Sequence, residues 1–164
     1  MAWEKLYRQY QATTRRFLLR MGVEAAAVDD ICQEVFLQAF RHLPRFRGEC
    51  SFQTWLYRIC VSEARRSRQR ARISQVLCTL VRRQARESVT CGELSPERAH
   101  HLVQGALGTL PDQERLVFVL YELEGMSGRE VALVAQCPEA TVWRRLHYAR
   151  KAFRTYVAER GAGS

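Results

Sequence analysis

Among its 164 residues the sequence has only four prolines and nine glycines. Helix breakers are therefore scarce, and apolar residues recur at helical spacing, so the chain is expected to be all-α. It has no run of about 18 apolar residues, which excludes an ordinary transmembrane helix and implies no membrane insertion. The start Met1-Ala2-Trp3-Glu4-Lys5-Leu6-Tyr7 lacks the charged-then-apolar order of a signal peptide, so a cytoplasmic location is expected. Six cysteines are spread along the chain without a CxxC pair, and none lies at close zinc-ligand spacing with a histidine. Several of them occupy apolar helix positions, where a thiol acts as a small hydrophobe. A metal- or redox-sensing role, at Cys78 and Cys91, is the alternative. The four histidines, His42, His100, His101 and His147, have no evident nucleophile partner. Neither a catalytic constellation nor a metal or cofactor site is expected.

Positive charge and apolar residues are plentiful. Nearly half of the residues are apolar, which is enough for a core and unlike a disordered tail. Net charge is +9. Residues 1–72 hold fourteen Lys/Arg against seven Asp/Glu, while residues 101–164 hold eight against seven. A basic excess of this size suits a polyanion such as nucleic acid, although charge alone fits solubility equally well.

The last third of the chain carries the most specific pattern. Ser127-Gly128-Arg129-Glu130-Val131-Ala132-Leu133-Val134-Ala135-Gln136 reads as a short amphipathic helix. Cys137-Pro138 follows as a turn, with Pro138 suited to a first helical position. A longer helix then runs from Glu139 to Tyr156. Val142, Leu146, Ala149 and Phe153 share one face of it, and Thr141, Arg144, Arg145, Tyr148 and Lys151 lie elsewhere. This is a helix-turn-helix, whose polar side suits phosphates and base edges.

Upstream, residues 3–21 read as a helix with Leu6, Tyr10, Phe17 and Met21 inward, ended by Gly22. A second helix is expected over residues 25–42. Residues 44–50 form an Arg-rich loop, and Ser51 is a candidate N-cap for a third helix. That helix places Phe52, Trp55, Leu56 and Ile59 on one stripe and becomes strongly basic over residues 65–72. Residues 73–95 read as a linker with some helix up to about residue 86. Further helices begin at Ser95-Pro96 and at Asp112.

Two clusters in the first part suggest binding. Asp29, Asp30 and Glu34 form an acidic patch, with Leu37 and Phe40 as apolar neighbours. Spacing alone favours a solvated face with acids at the positive end of a helix dipole. A docking surface for a basic protein is the alternative. Arg45, Phe46, Arg47, Tyr57 and Arg58 interleave rings and guanidinium groups, as single-stranded nucleic acid requires. Trp55 shares the apolar stripe and is expected in the core. Tyr57 and Arg58 face away from that stripe. Arg65 and the basic run after it are expected to track phosphates.

The stretch Asp29-Asp30-Ile31-Cys32-Gln33-Glu34-Val35-Phe36-Leu37-Gln38-Ala39-Phe40, then Phe46-Arg47-Gly48-Glu49 and Ser51-Phe52-Gln53-Thr54-Trp55-Leu56-Tyr57-Arg58-Ile59, closely resembles region 2 of bacterial extracytoplasmic-function (ECF) sigma factors. Leu110-Pro111, Glu124-Gly125-Met126-Ser127, Glu130-Val131-Ala132, Thr141-Val142 and Arg145-Leu146 resemble their region 4. The resemblance implies two small helical domains, residues 1–72 and 96–164, joined by a flexible linker at residues 73–95. It implies an alternative sigma factor, active in a stress or environmental response, that binds core RNA polymerase and directs promoter-specific initiation. Asp29, Asp30, Gln33 and Glu34 would bind the β′ clamp helices. Arg45, Phe46, Arg47, Tyr57, Arg58 and Arg65 would hold the −10 element. Glu139, Ala140, Thr141, Arg144, Arg145 and Tyr148 would read the −35 element, and region 4 would also meet the β flap. An anti-sigma factor is the expected regulator.

Two rival readings are weaker. A sigma-like decoy for an anti-sigma factor should lack the basic residues that Arg58, residues 65–72, Arg144 and Arg145 supply. A helix-turn-helix repressor would leave the region 2 pattern unexplained. Three positions depart from the family pattern: Gln136 stands for a usual turn glycine, Trp143 for a common polar residue, and Gly128 for a usual aromatic.

Overall fold

The computed structural model describes residues 2–79 and 96–161. Every regular element among them is helical, in the order α1 (Ala2–Arg20), α2 (Val28–His42), a 3₁₀ turn (Leu43–Arg45), α3 (Phe52–Thr79), α4 (Pro96–Thr109), α5 (Asp112–Phe118), a π-helical turn (Val119–Leu123), α6 (Gly128–Ala135) and α7 (Glu139–Gly161). None of the described helices is long and apolar enough to cross a membrane.

Local chemistry sets most boundaries. Gly22, at φ +82°, ends α1 in a left-handed turn. There the Val23 N–H bonds Leu18 O and the Gly22 N–H bonds Leu19 O, which satisfies two end carbonyls of the helix. A turn occupies residues 25–27, so α2 starts later than the apolar period suggests, with Asp29 and Asp30 in its first turn. Ser51 caps α3 as expected, its hydroxyl accepting the Thr54 N–H at 3.1 Å. Helix α3 then continues through residues 73–79, and α7 runs five residues past Tyr156.

Helices α1, α2 and α3 pack on one another, and α7 packs against α4, α5 and α6. Phe17, Leu18, Val28, Val35, Leu56 and Cys60 fill the first group, and Leu107, Leu116, Leu120, Val131, Val142, Leu146 and Ala149 the second. The two groups share one continuous apolar cluster, because α3 also packs against α6. Arg115 lies at the junction, buried, donating from Nη2 to Gly108 O at 3.0 Å and Leu110 O at 3.1 Å. Its Nη1 would lie 2.6 Å from a Cβ at Gly22, so a side chain there would displace the end of the guanidinium as well as strain the positive φ.

Candidate nucleic-acid interface

The acidic face of α2 is exposed. Asp29, Asp30 and Gln33 face solvent, and Glu34 is half-buried. Asp29 accepts from Arg15 Nε at 2.8 Å and Glu34 from Gln38 Nε2 at 2.9 Å, which leaves Asp30 and Gln33 outermost. Leu37 (50% exposed) and Phe40 (57%) lie on the same helix, and Phe40 is in edge contact with Trp3 at 5.2 Å between ring centres. An exposed apolar pair beside carboxylates has the composition of a protein-binding surface.

The loop before α3 closes on an aromatic group. Phe46 packs against Phe52 and Trp55 with ring centres 6.1 and 5.2 Å apart. Together with Arg45, Arg47, Glu49, Cys50 and Arg58, Phe46 and Trp55 line a cavity of about 260 Å³. Four of the residues singled out from sequence are thus brought to one place, and Trp55, expected in the core, is half-buried and forms part of its wall. Arg65 is exposed further along α3. A second cavity, of about 330 Å³, contains Glu63, whose nearly buried carboxylate accepts from Arg66 Nη1 at 2.8 Å. Sequence reasoning passed over Glu63 because it stands alone just before the basic run of residues 65–72.

Tyr57 does not lie on an exposed face. It is 1% exposed, stacked on Phe17 at 4.4 Å, and its hydroxyl donates to Glu124 Oε2 at 2.6 Å. The expectation failed because the stripe through Phe52, Leu56 and Ile59 describes one buried face, whereas α3 is covered on two, by α1 and α2 and by α6. Burial, and then the Glu124 hydrogen bond, pushes the Tyr57 phenol well above its ordinary pKa.

Glu124 joins the two helical groups. Its carboxylate is 4% exposed and also accepts from Arg20 Nη1 at 2.6 Å. The π-helical turn and Gly125, at φ +67°, bracket it. Nearby, Thr54 Oγ1 donates to Glu130 Oε1 at 3.3 Å, and Arg68 Nη1 to Asp112 Oδ1 at 2.6 Å. Arg68, expected to track phosphate with its neighbours, is thus held inward by an acid from α5, while Arg65, Arg66, Arg70 and Arg72 remain exposed.

The helix-turn-helix has the expected form. Ser127 and Glu130 make a reciprocal capping box at the start of α6. The backbone N–H and hydroxyl of Ser127 hold the Glu130 carboxyl below the usual range. Gln136 adopts the left-handed conformation (φ 52°, ψ 48°) that favours glycine. Pro138 falls just before the helix rather than at its first position, its carbonyl accepting the Val142 N–H. On α7, Glu139, Ala140, Arg144 and Tyr148 are exposed and Thr141 is half-buried. Arg145 turns back to the protein, its Nη1 3.2 Å from Gln113 Oε1 and 3.4 Å from Cys137 Sγ. Cys32 and Cys60 are buried thiols, and Cys50 and Cys137 are half-buried. Cys91 lies outside the described residues, as does the side chain of Cys78.

Two family models match this chain: sigma-70 region 2 over residues 6–73 and sigma-70 region 4 over residues 100–153. The RNA polymerase sigma-H factor of Pseudomonas aeruginosa is 32% identical over an alignment covering 92% of this chain and 83% of that protein. The ECF RNA polymerase sigma-E factor of Escherichia coli K12 is 31% identical, covering 92% and 84%. Among solved structures, the sigma factor RpoE in complex with the anti-sigma factor NepR, from Bartonella quintana, shares the fold. Its TM-score is 0.77 at 17% identity, over 96% of this chain and 97% of that one.

Proposed function

This chain belongs to the ECF sigma factors of the sigma-70 family, and from that premise we propose that it docks on core RNA polymerase through α2 and directs promoter-specific initiation in the cytoplasm. Residues 1–72 form the polymerase- and −10-binding region, residues 96–164 the −35-binding region, and residues 73–95 link them. The observation that carries this reading is the exposed acidic face Asp29, Asp30 and Gln33, with Glu34 at its margin and Leu37 and Phe40 beside it. Its charge and apolar content suit the basic and apolar surface expected of the β′ clamp helices. The cavity walled by Arg45, Phe46, Arg47, Trp55 and Arg58 suits an unstacked base and its phosphates, with Arg65 further along the strand. Glu139, Ala140, Thr141, Arg144 and Tyr148 meet the −35 element in the major groove. Tyr57 and Arg145 serve the protein's own packing. The β flap binds the second region.

An anti-sigma factor controls the activity, in a stress or environmental response. This is supported by the shared fold of a sigma factor solved in complex with an anti-sigma factor. Run-off transcription with core polymerase on promoters from the source genome tests the proposal. Selective initiation is expected, and it should be lost in Asp30→Lys/Glu34→Lys. Binding to an anti-sigma protein or to core without any initiation would overturn it in favour of a decoy.

A further inference from the structure

Gly128 and Trp143, fifteen residues apart, are brought into contact by the packing of α6 on α7. Gly128 is the first residue of α6, is buried, and has no left-handed backbone. A side chain there would force the indole to shift: its Cβ would lie 2.5 Å from Cζ2 and 3.1 Å from Cη2 of Trp143, and 2.8 Å from Glu139 Oε1. The indole is gripped from a second side by Tyr121 of the π-helical turn, edge to face at 5.3 Å and 79°. Tyr121 is held in turn beneath Arg150, which is bonded to Glu122 at 2.6 Å. Trp143 nevertheless remains 43% exposed. Its outer part borders a cavity of about 600 Å³ walled by His147, Arg150, Lys151 and Arg154.

We infer that Gly128 and Trp143 are a matched pair, the indole occupying the space that the missing side chain leaves at the start of α6, and that the pair sets the seat of the recognition helix and thereby −35 selectivity. The inference rests on the sigma-factor reading for its DNA consequence and on packing alone for the pairing. Trp143 connects the π-helical turn, the start of α6 and the first turns of α7. The residues that enter the major groove lie in those same turns of α7, so a shift of the indole moves Ala140, Thr141 and Arg144 together. Trp143 is therefore a positioning residue.

A double-mutant cycle in the full chain tests this. Gly128→Ala alone drives a methyl into the indole and is expected to lower Tm by about 3 °C or more. In a Trp143→Ala background the same change should be neutral or raise Tm, because alanine is the better helix former. Selection of duplexes randomised over the −35 segment, with holoenzyme assembled on bacterial core polymerase, supplies the second measurement. Gly128→Ala and Trp143→Ala should each alter the selected bases at the same positions. Equal Tm effects of Gly128→Ala in both backgrounds would overturn the pairing. An unchanged base preference in both single variants would overturn the link to selectivity. If the unmodified holoenzyme enriches nothing, the sigma-factor reading fails instead, while the Tm cycle still decides the pairing.

Discussion

Replacing Glu124 with alanine should loosen the contact between the two helical groups. In the intact protein one carboxylate, 4% exposed, receives Arg20 at 2.6 Å and the buried Tyr57 hydroxyl at 2.6 Å. Truncation strands both donors. A hydrogen bond to a charged group is worth about 1.5–3 kcal/mol, and breaking a buried ion pair costs about 3–5 kcal/mol. These figures describe overlapping losses and do not add, and Arg20 keeps 21% exposure, through which water recovers part of its solvation. A destabilisation of about 3–4 kcal/mol follows. Glu124→Gln keeps the shape and an acceptor for Tyr57 but loses the charge, and should cost about half as much. Urea unfolding followed by far-UV circular dichroism measures both. Glu124→Ala should also separate one transition into two, since the carboxylate spans residues far apart in the chain. A loss below about 1 kcal/mol with a single transition would refute the reasoning, because a surface ion pair gives that much.

Two further outcomes follow from local chemistry. Gln136 holds a left-handed conformation that costs a side-chain-bearing residue about 1–2 kcal/mol, so Gln136→Gly should raise stability, by about 1 kcal/mol once the looser unfolded chain is counted, measurable as a higher urea midpoint. Burial first, then Asp29, pushes the Cys32 thiol from 9.0 up to about 11, with Arg15 acting in the opposite direction. The native thiol therefore keeps its proton where the unfolded chain loses it. Its contribution is full below about pH 9 and is lost as pH rises toward about 11, so the stability advantage of the protein over Cys32→Ala should shrink across that range by about 2–3 kcal/mol. An advantage that stays constant would show that the thiol is not held protonated by the fold.

Local pattern determined much of this protein by itself. The scarcity of proline and glycine and the apolar period set the helices. Ser51 marked the start of α3, because a cap needs only its own first turn. The turn at Gln136 was placed by its neighbours despite the absent glycine. The acidic face of α2 and the outer face of α7 could be read because a single helix wheel suffices for them. Tertiary structure decided whatever depends on a partner distant in sequence. Tyr57, Arg68 and Arg145 have the residue types of nucleic-acid contacts, but Glu124, Asp112 and Gln113, supplied by the second half of the chain, claim them. Glu124 and Glu63 look like ordinary surface acids until packing removes their water. Gly128 and Trp143 are fifteen residues apart and read separately as two oddities. Only when α6 and α7 pack does the space left by one prove to be filled by the other, since a wheel shows which way a residue faces but not what it meets there.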